Sequence, residues 1–257
     1  MDATAAISRV PMLKRVHDDI RATLDGELAG LYLYGSIVSG DFIPGTSDLD
    51  LLAVTQRDLT TADLELLEAM HAAIVRDHPE WEDRIEVAYL SADGLRTFKE
   101  RRSPLAIISP GEPLHLIDAG SDWLMNWYLI RTGGVALFGP PVTDVIAPIA
   151  REDYLDAVRE HLSSADAWIA RATSRKPGSY AVLTAARGHY TLTHGEHASK
   201  AKTASWMTEH FPEWAGLIDR AQVWRVMPLD QPLTNDDRRD IAAYLSIVTK
   251  LIRDNDL

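Results

Sequence analysis

The 257-residue sequence contains no cysteine and no long uninterrupted run of apolar residues. The absence of cysteine excludes disulfides and thiolate metal sites. No segment approaches the ~20 consecutive apolar residues of a membrane-spanning helix. The first residues, MDATAAISRVPMLKRVHDDI, carry acids and bases where a secretory signal peptide requires a continuous apolar stretch. A soluble, cytoplasmic protein with no membrane partner is therefore expected.

Positive charge is also in short supply. Lysine and arginine number 26 against 38 aspartates and glutamates, which gives a formal net charge of −12. Proteins that bind a phosphate backbone depend on clustered basic residues, so a nucleic-acid partner is not expected. An acidic cleft instead concentrates small cations, and this composition is compatible with a cationic small-molecule substrate.

Hydrophobic residues make up 46% of the chain, which is enough for one large domain or two ordinary ones. In the first half, apolar residues recur with alternating helical and strand periods, and this order is typical of a compact α/β unit. The predicted helices are 5–25, Ser36–Gly40 and Thr60–His78. The predicted strands are Leu31–Tyr34, Asp48–Val54 and Arg84–Leu90.

A middle region follows, with extended pieces at Leu105–Ile108 and Leu114–Ile117, a helix from Asp122 to about Thr132 and a short strand in GGVALF. The three prolines of Gly139–Pro148 interrupt regular structure and mark a boundary.

After the boundary, every strong pattern is helical, so the predicted architecture is an α/β domain over 1–147 followed by an all-α helical bundle over 148–257. The predicted bundle helices are Arg151–Ala172, Ser179–Gly195, Lys200–His210, Glu213–Val226 and Asn235–Asn255.

Two aspartates interrupt the predicted strand Asp48–Val54, although charges are rarely buried unless they are paired or hold a metal. Residues two apart on a strand share a face, so Asp48 and Asp50 project together while Leu49 points into the core. Paired carboxylates on a rigid strand are ligands that suit Mg²⁺. Within WEDRIEV only Glu86 lies inside a strand pattern, so it is the candidate third carboxylate, as a metal ligand or as a general base.

Gly35 and Ser36 form a strand-to-helix turn a dozen residues before the aspartates. A glycine there lets backbone N–H groups approach an anion, and the start of a helix favours negative charge. A phosphate-binding turn beside a metal site is suited to a nucleoside triphosphate that is attacked by a hydroxyl group.

The motif resembles that of the DNA polymerase beta-like nucleotidyltransferase superfamily: Gly-Ser, a spacer, Asp-x-Asp and a later strand acid. Gly35, Ser36, Asp48, Asp50 and Glu86 fill those positions. The resemblance implies ATP as a co-substrate and two Mg²⁺ ions held by the carboxylates, with Glu86 as the general base that also contacts the acceptor.

The second half resembles the helical domain of aminoglycoside adenylyltransferases of the streptomycin/spectinomycin type. That family carries an LTxxRxxY…TGxxxxKxxAxxW pattern, which is matched in order by Leu183, Thr184, Arg187, Tyr190, Gly195, Lys200, Ala204 and Trp206. The resemblance implies that ATP lies between the two domains and that Arg187 and Lys200 reach its phosphates. Arg187 has the alternative reading of a surface helix residue, and only the resemblance favours Lys200 over Lys202.

Two tryptophans have further roles by resemblance. Trp168 matches a tryptophan that contacts the acceptor, although the acid expected after it is absent, and basic Arg171, Arg175 and Lys176 follow instead. This favours spectinomycin over guanidinium-bearing streptomycin. Trp224 matches an aromatic residue near the nucleotide, with an ordinary place in the bundle core as the alternative.

The leading hypothesis is an adenylyltransferase, expected to be a monomer, that passes AMP from MgATP to a hydroxyl of an aminocyclitol or aminoglycoside antibiotic. One alternative has the same chemistry with a metabolite or a protein side chain as acceptor. The other is a nucleotide-binding regulator without catalysis, and the complete set Asp48, Asp50 and Glu86 argues against it.

Overall fold

The computed structural model describes residues 2–253, apart from the side chains of Asp166 and Arg253. Its contacts divide the chain into two compact units, Met1–Ile149 and Ala150–Leu257. The sequence places the boundary after residue 147, and the observed division follows Ile149, at the end of the proline-rich segment. Within the described residues, no helix is both long and apolar enough to cross a membrane.

The described part of the first unit contains a six-stranded mixed sheet with the order β5-β4-β3-β2-β1-β6. The β2–β3 pair is parallel, and the other neighbouring pairs are antiparallel. The strands are β1 (Leu28–Tyr34), β2 (Leu49–Thr55), β3 (Ile85–Ser91), β4 (Ser103–Ser109), β5 (Glu112–Ala119) and β6 (Val135–Phe138). The mixed sheet confirms the predicted α/β class.

Helices surround this sheet. They are α1 (Ala3–Arg9), α2 (Met12–Leu24), α3 (Ser36–Ser39), α4 (Thr61–Asp77), α5 (Ala92–Thr97), α6 (Leu124–Gly133) and α7 (Val142–Val145). Helix α4 starts with a capping box between Thr60 and Asp63, where the sequence indicated Thr61 or Asp63 near the cap. Short α5 was not predicted from the sequence.

The single helix predicted over residues 5–25 is wrong, because the chain leaves the helical conformation at Val10 (φ −133°, ψ 89°). Pro11 follows, and a residue before proline is driven out of the helical region. The apolar face predicted from Ile7, Val10, Leu13, Val16 and Ile20 continues across the break, with Ile7 partly buried and the other four buried.

The core beside α2 and α4 determines where the candidate site lies. Leu49 and Leu51 of β2 are fully buried in this core, together with Val16 and Leu67. Because side chains alternate along a strand, Asp50 projects from the opposite face of the sheet.

Apart from an isolated β-bridge between Ser174 and Pro232, the described regular structure of the second unit is helical, which confirms the predicted bundle. Its helices are α8 (Arg151–Ser163), α9 (Ala165–Arg171), α10 (Arg175–His194), α11 (Lys200–His210), α12 (Ala215–Val226) and α13 (Asn235–Arg253). Helix α10 is the central one, packing against α8, α9, α11, α12 and α13. Its Gly188 permits a close approach, because a Cβ there would lie 2.4 Å from a methyl carbon of Leu162.

Three bundle boundaries differ from the prediction. The helix predicted over Arg151–Ala172 ends at Ser163, whose hydroxyl donates to the carbonyl of Glu160, a competing bond typical of serine near helix ends. Helix α10 begins at Arg175 rather than Ser179, and α12 begins after a short 3-10 turn, Pro212–Trp214. The N-cap of α13 is Thr234, which exchanges hydrogen bonds with Asp237, and residues 254–255 of that prediction lie outside the described residues.

Candidate active site

Three carboxylates converge at one end of the β2–β3 pair. Asp48 immediately precedes β2, while Asp50 and Glu86 are the second residues of β2 and β3. The parallel register places Asp50 beside Glu86. One oxygen from each of the three side chains lies within 4.8 Å of the others, and all three side chains are half-buried. The structure thus brings together the three residues that the sequence singled out as ligands.

The electrostatics of this cluster suit a divalent cation. Burial raises the pKa of Glu86 to about 7, and the negative charge of Asp48 adds to the rise, while a hydrogen bond from Tyr34 opposes it. Burial and a nearby like charge both disfavour the ionised form of Glu86. Hard oxygen ligands at this spacing fit Mg²⁺, which would relieve the repulsion. The donor set is therefore chemically suited to the predicted metal.

The turn at Gly35 lies directly against the cluster. Gly35 has a φ of +71°, and a Cβ built on it would lie only 1.9 Å from Oδ2 of Asp50. Glycine is thus required both by the backbone conformation and by the approach of the carboxylate. Ser36 begins α3, and its buried Oγ has no hydrogen-bond partner among the described residues. Buried polar atoms are usually satisfied, so this hydroxyl is suited to contact a bound ligand.

Tyr34 is a site residue that the sequence reading missed. It ends β1, pairs with Asp50 across the antiparallel ladder and donates from its Oη to Oε1 of Glu86 at 3.3 Å. Burial and the surrounding carboxylates raise the pKa of Tyr34 well above its ordinary value, so the phenol remains a hydrogen-bond donor. Tyr34 immediately precedes Gly35 in the sequence. Pairing β1 with β2 as antiparallel neighbours would have placed Tyr34 opposite Asp50 and so identified it.

Arg84 was also missed. It directly precedes β3, and its guanidinium donates to the carbonyl of Ser47, the residue before Asp48. Sequence periodicity assigned Arg84 only to the start of a strand, because a contact with a loop 37 residues earlier leaves no local pattern.

In the second unit, Arg187 occupies the middle of α10 and is half-buried among buried neighbours. Burial lowers the pKa of His197 to about 3, and the charge of Arg187 contributes to that shift. The pKa of His161 is lowered by the same two causes, burial first. Arg187 is therefore half-buried and near enough to these two histidines to influence their pKa values.

Lys200 and the two tryptophans have distinct surroundings. Lys200 begins α11, and its Nζ lies 5.5 Å from the ring centroid of Tyr180. Trp168 of α9 is half-buried, with its ring tilted against His161 at a centroid distance of 4.9 Å. Trp224 of α12 is only 4% exposed, which favours the core alternative over the predicted nucleotide contact.

Comparisons with known proteins agree with this arrangement. Residues 14–102 match the family model of a nucleotidyltransferase domain, and residues 144–250 match that of the C-terminal domain of aminoglycoside adenylyltransferases. An aminoglycoside (3'')(9) adenylyltransferase of Klebsiella pneumoniae is 28% identical over 228 residues, covering 81% of this chain and 82% of that protein.

The fold is shared with a solved structure, the spectinomycin adenyltransferase AAD(9) from Enterococcus faecialis with ATP and spectinomycin. The TM-score is 0.75 at 19% identity, with 93% of this chain and 98% of that chain covered. The chain thus carries a nucleotidyltransferase domain followed by a region that matches the C-terminal domain of aminoglycoside adenylyltransferases, and it is a nucleotidyltransferase enzyme.

Proposed function

We propose that the protein transfers AMP from MgATP to a hydroxyl group of an aminocyclitol or aminoglycoside antibiotic, with spectinomycin preferred, and releases pyrophosphate. The observation that carries this proposal is the cluster of Asp48, Asp50 and Glu86 in contact with the turn at Gly35. The relatives support the same chemistry, because both are named as adenylyltransferases of such antibiotics.

Asp48, Asp50 and Glu86 would together hold Mg²⁺, as two ions in our proposal. When bound, Mg²⁺ neutralises triphosphate charge and stabilises pyrophosphate as a leaving group. The carboxylate of Glu86 accepts the proton of the acceptor hydroxyl, and that oxygen then bonds to the α-phosphorus as the bond to the pyrophosphate oxygen breaks. A pKa near 7 suits this role, because general bases work best when their pKa lies near the operating pH.

In this proposal the turn at Gly35 and Ser36 contributes to binding of the ATP phosphates. At Gly35 the missing side chain lets the carboxylate of Asp50 approach the turn, and the buried Oγ of Ser36 is available to a phosphate oxygen. Arg187 and Lys200 would add two positive charges, and charge-assisted contacts with phosphate are among the stronger hydrogen bonds in proteins. Trp224 has no part in this account, since it lies in the bundle core.

The negative net charge of the protein supports the proposed cationic acceptor. The net charge of −12 favours a cationic antibiotic, and Trp168 offers a half-exposed aromatic surface. The segment after Trp168 is basic in sequence, but Asp230 accepts hydrogen bonds from Ser174 and from the backbone of Lys176. Asp230 is thus engaged with this segment, and the preference for spectinomycin over guanidinium-bearing streptomycin rests on the basic residues Arg171, Arg175 and Lys176.

The proposal is tested by antibiotic susceptibility of a host that expresses the wild-type protein or Glu86→Gln, with Glu82→Gln as a matched control on an exposed residue. We expect spectinomycin resistance from the wild type and from Glu82→Gln, and none from Glu86→Gln. Equal susceptibility of all three strains, with the proteins present at equal levels, would instead favour a non-antibiotic acceptor or a regulator without catalysis. Pyrophosphate release and calorimetric ATP binding by the purified protein then separate those two alternatives.

A further inference from the structure

Arg84 is held rigidly beside the carboxylate cluster. Its Nε and Nη2 both donate to the carbonyl oxygen of Ser47, at 3.1 and 2.7 Å, and its Nη1 donates to the carbonyl of Glu80 at 3.0 Å. The guanidinium also stacks over the ring of Trp81, with its central carbon 4.3 Å from the ring centroid. Three hydrogen bonds and a stacking contact fix the orientation of this planar group.

The backbone of Arg84 makes a further contact with the same segment. The N–H of Leu49 donates to the carbonyl of Arg84 at 2.9 Å, so Arg84 binds the peptide groups on both sides of Asp48. On the N-terminal side the guanidinium holds the carbonyl of Ser47, and on the C-terminal side the main chain holds Leu49. Asp48 is thereby bracketed by a single residue.

This bracket matters because Asp48 lies outside the regular ladder. Strand β2 begins at Leu49, so Asp50 is positioned by its neighbours on β1 and β3, whereas Asp48 follows a loop. The loop supplies its own support at Ser47, which is buried and whose Oγ accepts from the N–H of Ile43 at 3.0 Å. Arg84 supports the same segment from outside the loop, through the carbonyl of Ser47 and the N–H of Leu49 that flank Asp48.

We propose that Arg84 is a positioning residue for the metal site, and that its clamp on the Ser47 carbonyl fixes the direction in which Asp48 presents its carboxylate. The inference rests on the proposed metal-binding role of Asp48. It concerns hydrogen-bond geometry rather than charge, since a positive charge near a cation site by itself weakens cation binding. Groups that orient metal ligands typically change metal affinity by 10–100-fold when they are removed.

The geometric and electrostatic effects have opposite signs, which makes the proposal testable. Arg84→Met keeps an apolar stem beside Trp81 but removes both the clamp and the charge. Arg84→Lys keeps the charge but cannot reproduce the forked contact with one carbonyl. A positioning role predicts that both variants bind a divalent cation about tenfold more weakly, with Arg84→Lys at least as weak as Arg84→Met. A purely electrostatic role predicts that Arg84→Met binds the cation more tightly.

The experiment measures Mn²⁺ binding to the full-length, nucleotide-free protein by electron paramagnetic resonance. The wild type is compared with both Arg84 variants, with Asp48→Asn as the reference and with Arg76→Met as the control on an exposed arginine of α4. Thermal unfolding in EDTA is recorded for each protein. In the transfer reaction we expect the Arg84 variants to need more Mg²⁺ for half-maximal rate, with little change in the KM for the acceptor.

The inference is overturned if the Arg84 variants bind Mn²⁺ as the wild type does, even when their thermal stability falls, because Arg84 would then be merely structural. Tighter binding by Arg84→Met overturns it as well. If Asp48→Asn also binds Mn²⁺ normally, the proposed metal site itself is wrong. If Asp48→Asn fails to bind while the Arg84 variants bind normally, only the inference about Arg84 fails. Should Arg84→Met not fold, Arg84→Lys alone decides, with weakened binding supporting the clamp and unchanged binding refuting it.

Discussion

Tyr34 donates a hydrogen bond to Oε1 of Glu86 across two strands of the sheet, at 3.3 Å. This contact connects the end of β1 to the second residue of β3, with Asp50 of β2 between them in register. It favours the ionised form of Glu86 and so opposes the effect of burial on its pKa. The phenol thus orients the carboxylate that we propose as the general base and leaves its second oxygen available to the acceptor.

Replacing Tyr34 with phenylalanine should therefore raise the pKa of Glu86. Because the base must be ionised, the acidic limb of the pH profile of kcat/KM should move to higher pH, and the rate at pH 6 should fall about tenfold. Tyr32→Phe is the matched control, since Tyr32 lies on the same strand but donates to the carbonyl of Pro140. An acidic limb that stays in place in Tyr34→Phe would contradict the assigned role of this hydrogen bond.

Gly35→Ala should disrupt the metal site. The new Cβ would lie 1.9 Å from Oδ2 of Asp50, so either the turn or the carboxylate must move, and we expect AMP transfer to fall by at least 100-fold. Gly45→Ala separates this collision from backbone strain, because Gly45 has a similar φ of +78° but no atom within 4 Å of its Cβ position. Gly45→Ala should lose roughly 1 kcal/mol of stability and keep its activity. Comparable losses of activity in both variants would refute the explanation.

The raised pKa of Glu86 predicts a specific dependence of stability on pH. The folded-state pKa is about 7, above the ordinary value of 4.5, so the folded protein binds this proton more tightly than the unfolded chain. The stability from this group is fully present below pH 4.5 and is lost as the pH rises through about 7. The full loss is of the order of 3 kcal/mol, from ~1.4 kcal/mol per pKa unit.

This dependence is measured by chemical denaturation of the metal-free protein between pH 5 and pH 8. The free energy of unfolding of the wild type, taken relative to Glu86→Gln, should fall across that range. Millimolar Mg²⁺ should restore stability to the wild type at pH 8, because metal binding favours the ionised carboxylates. A difference between the two proteins that does not change with pH would show that Glu86 titrates normally.

Arg187 offers a test in the second unit. Removal of its charge in Arg187→Ala should raise the pKa values of His161 and His197, and burial should still keep both below the ordinary range. The same substitution should weaken ATP binding about tenfold if Arg187 contacts a phosphate. Histidine NMR titrations and calorimetry measure the two effects. Arg159→Ala, at a half-buried arginine of α8 that is paired with Asp156, should change neither.

Much of this fold could be predicted because its helices and strands have a regular spacing of apolar residues over short stretches of sequence. Alternation around Leu49 and Leu51 predicted both a strand and the side from which Asp50 projects, and the structure agrees. Glu86 was identified because it interrupts an apolar strand, where a charged side chain is rare unless it is paired or binds a ligand. The α/β class and the helical second half likewise follow from periods that a few consecutive residues display.

The remaining features depend on contacts between distant segments. Tyr34 contacts Glu86 because their strands belong to one sheet, and Arg84 contacts Ser47 because a loop folds back to it. Neither contact is visible as a periodic pattern of residues in the sequence. The break at Pro11 was visible in principle, but the regular spacing of apolar residues continued across it. For Trp224, a resemblance suggested a contact with the nucleotide, and its burial in the bundle favours the alternative of an ordinary core residue.

The most direct test of the account is AMP transfer by the purified protein, followed by mass spectrometry of the acceptor and by release of pyrophosphate. With ATP and Mg²⁺ we expect adenylylated spectinomycin and an equal amount of pyrophosphate, little or no modification of streptomycin, and no product from Glu86→Gln although it still binds ATP. The absence of adenylylated spectinomycin from a folded wild-type protein that binds MgATP would contradict the central claim.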